Sequence, residues 1–331
     1  MRNRARWAIA CLAGWAGCGW PIQPSPRRGD VPGTSSGASL VVLPDDGPRP
    51  ILDALAGARR RAWIEMYLLT DGDAVDALVA AHRAGADVRI LLEPTPYGGG
   101  DNAPAFLALQ QAGVDVRWFS VPEGLVHIKL LLLDDVAWIL TPNLTTAGLT
   151  RNREYAVADD APADVARAEA VFMADLYGQQ PPQEGGSRVL VSPLDARSRL
   201  AAAIEASRRT LALEIEELSD TDVVEGLVAA HGRGVAVSVL VPATERSAAT
   251  DAAVIALQSA GLAVRALPSP TVHAKAMVID GSTAYVGSVN FTRASLDDNR
   301  EMGVLVEDPA LVSRVGATMA ADWASAPPSA P

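Results

Sequence analysis

Two periods of apolar residues alternate along this chain. Leu40-Val41-Val42-Leu43, Ala62 to Leu69 and Val88 to Leu92 are short, largely apolar runs of strand length. Between them, Arg49 to Arg60, Asp73 to Ala84 and Ala103 to Ala112 carry apolar residues at helical spacing. Asp71 or Asp73 caps the second of these helices, Gly85 stops it, and Gly113 stops the third. Val114 to Trp118 reads as a further strand. His127 to Leu133 and Ala137 to Thr141 read as a hairpin about Asp134-Asp135. Strands alternating with helices predict an α/β fold with mixed sheets flanked by helices.

The whole pattern occurs twice. Leu78-Val79-Ala80-Ala81-His82 matches Leu227-Val228-Ala229-Ala230-His231, and Ala108 to Gly113 matches Ala256 to Gly261. Met173-Ala174-Asp175-Leu176-Tyr177 resembles Ala320-Ala321-Asp322-Trp323. The period is about 147 residues, the size of a domain rather than of a solenoid repeat. The expected organisation is a first repeat over 39–178, a Gln/Pro/Gly-rich linker over 179–187, a second repeat over 188–325 and a tail over 326–331.

Nearly half of the 331 residues are apolar, enough for a substantial core. The net charge of −11 argues against sequence-blind coating of nucleic acid, which needs many phosphate contacts, and leaves room for a locally basic cleft. Residues 1–18 read as an export signal: Arg2, Arg4 and Arg6 form a basic head, and Trp7 to Ala16 is too short to span a bilayer. Trp15-Ala16-Gly17-Cys18 resembles a bacterial lipoprotein cleavage box, with Trp15 where leucine is usual. Cys18 is then the lipidation site, ordinary signal cleavage being the alternative. The chain's two cysteines are Cys11 and Cys18, so no disulfide is expected in the body. Residues 19–38, rich in Pro, Gly and Ser, read as a tether. The expected protein is exported across the bacterial inner membrane, anchored there or released, and monomeric.

Two lysines stand against twenty-six arginines, and both lie in one pattern: His127-Ile128-Lys129 and His273-Ala274-Lys275. Residues two apart on a strand share a face, so each histidine and its lysine project together. Asp134 and Asp280 follow seven residues after the histidines, roughly 23 Å along an extended strand. They are assigned to the hairpin turns. Turning there returns Ser288 towards His273, and Thr141 with Asn143 towards His127. Asn152 with Glu154, and Asn299 with Glu301, supply carboxylates able to orient an imidazole. Two such half-sites about a two-fold axis suit a phosphodiester. Lysines neutralise the non-bridging oxygens, one histidine attacks phosphorus and the other protonates the leaving oxygen. Neither metal nor cofactor is required.

These residues resemble the signature of the phospholipase D superfamily, His-x-Lys-x4-Asp followed by Gly-Ser-x-Asn. The second copy matches at His273, Lys275, Asp280, Gly287, Ser288 and Asn290. The first matches at His127, Lys129, Asp134 and Asn143, departing where Leu140-Thr141 replaces Gly-Ser and where the turn is one residue shorter. The resemblance covers residues 38 to 325. It implies two α/β/α repeats packed with pseudo-two-fold symmetry around one active site, and ping-pong chemistry through a covalent phosphohistidine. In many members the N-terminal histidine, here His127, is the nucleophile. The expected substrate is a phospholipid. A nuclease, a cardiolipin-synthase-type transferase and a non-catalytic phosphate-binding relic are the alternatives. Leu140 is expected to narrow the pocket.

Other polar residues have plainer readings. His82 and His231 read as buried structural histidines. Glu65 and Glu214 occupy matching strand positions, either facing the site or satisfied within the strand. Arg59-Arg60-Arg61 and Arg208-Arg209 end helices, where they complement the dipole. The loop from Thr95 to Pro104 lacks the Lys-Ser/Thr ending of a phosphate loop and is placed at the edge of the cleft.

Overall fold

The computed structural model describes residues 37–120, 124–183 and 186–329. The expected signal segment, Cys11, Cys18 and nearly all of the expected tether lie outside the described residues. The described residues form one compact unit containing both repeats. Among the described residues, no helix is long and apolar enough to cross a membrane.

The first repeat supplies β1 (Ser39–Leu43), β2 (Arg61–Met66), β3 (Asp87–Leu92), β4 (Asp115–Trp118), β5 (Lys129–Leu133), β6 (Val136–Leu140) and β7 (Asn152–Asp159). They form a mixed sheet in the order β1-β7-β6-β5-β2-β3-β4, with β2, β3 and β4 parallel and the rest antiparallel. The second repeat supplies β8 (Val189–Ser192), β9 (Thr210–Ile215), β10 (Ala236–Pro242), β11 (Ala263–Leu267), β12 (Thr271–Val272), β13 (Lys275–Ile279), β14 (Thr283–Gly287) and β15 (Glu301–Val306). Its sheet, β11-β10-β9-β13-β14-β15-β8, repeats the first in mirror listing. The short strand β12 leaves its own sheet and pairs in parallel with β7 of the first. The α/β class, the mixed sheets and the doubling agree with the sequence pattern.

Burial follows strand alternation. In β5, Leu130 and Leu132 face a central core shared by both repeats, while Leu131 and Leu133 face an outer core under the helices of the first repeat. The central core also contains Val171 and Phe172 of the helix Pro162–Leu176 and Val315 and Met319 of the helix Pro309–Ser325. Strands apolar on both faces are therefore buried on both faces, as their composition requires.

Two boundaries differ from the apolar pattern, each for a polar reason. The helix Arg49–Gly57 stops short of Arg60. The Asp134 carboxylate accepts hydrogen bonds from the backbone N–H groups of Arg59, Arg60 and Arg61, which pulls that segment out of the helix. Asp280 does the same for Arg208, Arg209 and Thr210. Both aspartates adopt left-handed backbone, φ 52° and 53°, at their hairpin turns. Each turn is thus pinned to the start of the neighbouring strand. The side chains of Arg59 and Arg208 donate to the last helical carbonyls, at Ala56 and Glu205. Likewise β5 and β13 begin at the lysines, not at the histidines. The N–H of His127 donates to Arg300 O and that of His273 to Arg153 O, each across to the other repeat.

Asp280→Ala leaves three strand-start N–H groups without their acceptor. We expect it to cost about 1–3 kcal/mol of stability while leaving turnover within a few-fold of wild type, because the turn lies at the far end of β13 from His273. Thermal melts and rates on one preparation read both; a collapse of turnover at unchanged stability would refute the structural role.

Candidate active site

Both His-x-Lys segments meet where the two repeats touch. The backbone pairings just described bring each histidine beside the Asn-Arg-Glu segment of the opposite repeat. His127 Nδ1 is 2.9 Å from Glu301 Oε2, and His273 Nδ1 is 2.6 Å from Glu154 Oε1. Each imidazole therefore rests on a carboxylate from the other half of the molecule. The sequence offers both glutamates but not this crossing. Glu154 and Glu301 are fully buried, whereas the histidine side chains keep 13% and 19% of their surface exposed, so each ring remains reachable from solvent. Lys129 and Lys275 are buried, and their Nζ atoms donate to the carbonyls of His127 and His273 at 2.8 and 2.7 Å.

The hydroxyls sit behind the glutamates rather than in front of the histidines. Thr141 Oγ1 donates to Glu154 Oε2 at 2.6 Å and accepts from Tyr155 N–H. Ser288 Oγ accepts from Met302 N–H and donates to Met302 O, and its hydroxyl also favours the ionised form of Glu301. Among the described residues, Ser288 makes no hydrogen bond to His273, contrary to the expectation that it returns beside that ring. Leu140 does not narrow the pocket: it packs into the outer core of the first repeat. The matching Gly287 is glycine because a Cβ there would come within 2.4 Å of the Gly303 backbone, and Tyr285 fills the space a side chain at Gly303 would need. The Gly-Ser to Leu-Thr change is thus a repacking of the strand pair, and the first half-site remains assembled.

Asn143 and Asn290 line matching positions. Asn290 Oδ1 accepts from Glu217 N–H, and its Nδ2 is 3.3 Å from Glu216 Oε2; Asn143 Oδ1 is buried with no partner among the described residues. Asn152 and Asn299 touch neither imidazole. Asn152 sits where β12 pairs with β7, and Asn299 Oδ1 accepts from Leu125 N–H, so both hold the crossing segments. His82 and His231 lie in the last turns of helices away from the pocket, the first half-buried and the second exposed rather than buried.

A second buried layer lies behind the first and is also crossed. Arg153, next to Glu154, pairs with Asp322 of the second repeat; Arg300, next to Glu301, pairs with Asp175 of the first. Glu214 and Glu65 stand beside these pairs, so neither faces the pocket. Burial, helped by Asp322, pushes Glu214 up to about 8, and Tyr155 donates to it at 2.6 Å. Burial and Asp175 push Glu65 well above the carboxylate range. The resemblance between the segments around Asp175 and Asp322 has its physical cause here.

The pocket's electrostatics are not symmetric. Burial, reinforced by Lys275, lowers Lys129 to about 7. Burial, reinforced by Lys129, lowers His127 and favours a neutral ring, although Glu301 pulls the other way. For Glu301, burial alone acts upward, but His127 and Lys129 hold it below its ordinary value. With Nδ1 donating to Glu301, His127 Nε2 keeps its lone pair and has no hydrogen-bond partner among the described residues. Tyr67 packs its ring edge against His127 at 4.7 Å and lies under Lys129 Nζ at 5.2 Å. In the second half-site the position of Tyr67 is taken by Glu216, which pairs with Lys275 and lies 3.5 Å from His273 Nε2. Glu93 accepts from Val126 N–H and fixes the segment entering His127. Tyr67 and Glu216 were not singled out from the sequence. Their signal was positional: each lies two residues after the matched glutamates Glu65 and Glu214.

Among the described residues, no group of three or more His, Cys, Asp or Glu is arranged to hold a metal ion. Two lysines, two histidines and the Glu216 carboxylate meet at the pocket. That arrangement can bind a phosphate group, present a nucleophilic nitrogen and supply a proton.

Comparison with known proteins agrees with this geometry. Residues 51–176 and 200–323 each match the family model described as "Cardiolipin synthase, PLD-like domain". Mitochondrial cardiolipin hydrolases of Danio rerio and Xenopus tropicalis are each 32% identical over 119 and 118 residues, which is 35% of this chain. The match spans about half the length of these relatives, 51% and 56%. Among solved structures, polyphosphate kinase from Porphyromonas gingivalis superposes with a TM-score of 0.71 at 17% identity, over 87% of this chain and 47% of the other. Phosphatidylserine synthase from Haemophilus influenzae Rd KW20 gives 0.65 at 13% identity, over 87% and 85%. At these identities the structural likeness establishes a shared fold.

Two outcomes follow from the pocket. Glu301→Gln removes the carboxylate that raises His127; turnover is expected to fall by about 10²–10⁴-fold, and the acid limb of the pH–rate profile to move to lower pH. Superimposable profiles would remove Glu301 from the mechanism. Lys129 carries its charge only below about 7, so kcat/KM is expected to decline as pH rises through that value. In Lys129→Arg the alkaline limb moves up, whatever the absolute rate, because a guanidinium does not titrate there; an unmoved limb assigns it to another group.

Proposed function

Because the chain belongs to the phospholipase D superfamily, with its domain in two copies, we propose that it is a metal-independent phosphodiesterase acting on phospholipids through a covalent phosphohistidine. Two imidazoles, each backed at Nδ1 by a carboxylate from the opposite repeat and each beside a buried lysine, carry this reading. His127, held neutral, is the nucleophile. Its Nε2 lone pair forms a bond to phosphorus as the bond from phosphorus to the leaving oxygen breaks. The electron pair of that bond stays on the oxygen, which takes a proton from His273. His273 then accepts a proton from water as the water oxygen bonds to phosphorus, and the phosphorus–nitrogen bond breaks to restore His127. Lys129 and Lys275 balance the charge on the non-bridging oxygens in both steps. An alcohol in place of water would give transfer.

Two observations favour lipid over nucleic acid, and one expectation from the sequence points the same way. The net charge of −11 disfavours a long polyanion. The vertebrate relatives bear the name cardiolipin hydrolase. A lipid anchor at Cys18, proposed on the sequence alone, would hold the pocket against a bilayer.

Purified protein in excess chelator, offered phosphatidylcholine, cardiolipin, single-stranded DNA and bis-p-nitrophenyl phosphate, tests the reading. Cleavage of lipid in chelator is expected; cleavage of DNA alone would make the protein a nuclease, and activity only on adding back a divalent ion would overturn the mechanism. Nitrophenolate leaves bis-p-nitrophenyl phosphate without help from an acid. His273→Ala should therefore release about one equivalent of nitrophenolate in a burst and hold the nitrophenyl phosphoryl group on His127, while His127→Ala shows no burst. A burst in His127→Ala instead would exchange the two roles.

A further inference from the structure

The two half-sites differ most at one pair of positions. Tyr67 lies against His127 in the first; Glu216 takes its place in the second, just past the end of β9. The Glu216 carboxylate pairs with Lys275, lies 3.5 Å from His273 Nε2, and has Asn290 Nδ2 at 3.3 Å. These lysine, histidine and amide groups are the ones the second half-site offers to phosphate oxygens. The carboxylate therefore sits where half of an incoming phosphate must go. The opposite seat is open: among the described residues, Lys129 has no carboxylate within ion-pairing distance.

A phosphodiester that takes Lys275 displaces Glu216 from its cation. The side chain is 29% exposed and has room to turn outward, but its negative charge then lies beside the substrate's own. For a purely anionic diester this is repulsion in a confined site, a cost of like charges at close range. For a diester carrying a cation a few bonds from phosphorus it is a new ion pair. The surroundings suit such a cation. The Tyr67 hydroxyl accepts from Tyr97 N–H at 2.6 Å and lies within electrostatic reach of both Glu93 and Glu216, and the Tyr97 ring is 79% exposed. The Tyr67 face is already taken by Lys129, so the groups left for a cation are the Glu216 carboxylate and the exposed Tyr97, the kind of carboxylate and aromatic surface that binds quaternary and primary ammonium groups.

We propose that Glu216 is a specificity-determining residue that selects phosphodiesters bearing a cationic group next to phosphorus, as in zwitterionic lipid head groups, over purely anionic ones. The proposal rests on the phospholipid reading for its natural substrate, but the selection itself can be read on soluble probes. Phosphorylcholine and its uncharged carbon isostere, 3,3-dimethylbutyl phosphate, differ only in that cation. Titration calorimetry of each against the full chain and against Glu216→Gln measures the discrimination without turnover. Wild type is expected to bind phosphorylcholine about tenfold more tightly than the isostere. In Glu216→Gln the ratio is expected to fall towards one, chiefly because the isostere binds better once the competing carboxylate is gone. Glu216→Ala is measured alongside and should behave alike.

Equal binding of the two compounds by wild type, a ratio unchanged in both variants, or binding of neither compound overturns the proposal. Hydrolysis of phosphatidylcholine vesicles by the same wild-type preparation is followed in parallel. Intact vesicles with the discrimination present overturn the lipid reading alone. Cleaved vesicles with the discrimination absent overturn this proposal alone.

Discussion

The crossed contact between each imidazole and the other repeat's glutamate is the constraint on which the rest of the structure depends. A histidine ring with no partner at Nδ1 has neither a fixed tautomer nor a fixed orientation. Here the partner is always in the opposite repeat, and the backbone makes the same crossing, His127 N–H to Arg300 O and His273 N–H to Arg153 O. Neither half-site exists until the repeats dock. The buried arginines beside the two glutamates extend the crossing one layer deeper, to Asp322 and Asp175. Docking thus buries charged groups whose buried carboxylate partners, Asp322 and Asp175, come from the other repeat, although Arg153 also reaches Asp45 and Leu43 O, and Arg300 reaches Ser192 O, within its own. Incorrectly docked halves leave those charges unpaired, which is far costlier than losing apolar contact.

Pseudo-symmetry supplies two equivalent histidines, yet the reaction needs one to attack and one to donate. Local substitutions separate them. His127 has an aromatic edge, an unpartnered Nε2 and a neighbouring lysine that burial holds near the point of losing its proton. His273 has a carboxylate on each side, Glu154 at Nδ1 and Glu216 towards Nε2. The scaffold is common to both halves; the division of labour lies in side chains that differ between them.

Much of this was legible in the sequence because it is encoded locally. Strand and helix periods gave the α/β class, and the doubled His-x-Lys pattern gave both half-sites. The turn aspartates announced themselves by their spacing. What local pattern does not carry is which distant segment a strand meets. Glu154 and Glu301 were visible as carboxylates, but their exchange of partners is a fact of docking. Ser288 was expected beside His273 by counting residues back along a hairpin. The strand does return, but the β14–β15 pairing turns the hydroxyl towards Met302 and Glu301. Leu140 looked like an obstruction because the signature has glycine there; the structure puts that side chain on the core face. Glu216 was overlooked because it matches no signature and matters only for what surrounds it.

The scarcity of lysine has one more consequence. The chain has two lysines, both buried in the pocket, and every other long cation is arginine. An amine reagent applied to the folded protein therefore meets no side-chain ammonium on the described surface. Any side-chain amine it modifies belongs to Lys129 or Lys275, and the one that burial keeps partly unprotonated near neutrality is the better nucleophile. Any side-chain label that reductive methylation with labelled formaldehyde leaves on this chain therefore reports from inside the pocket.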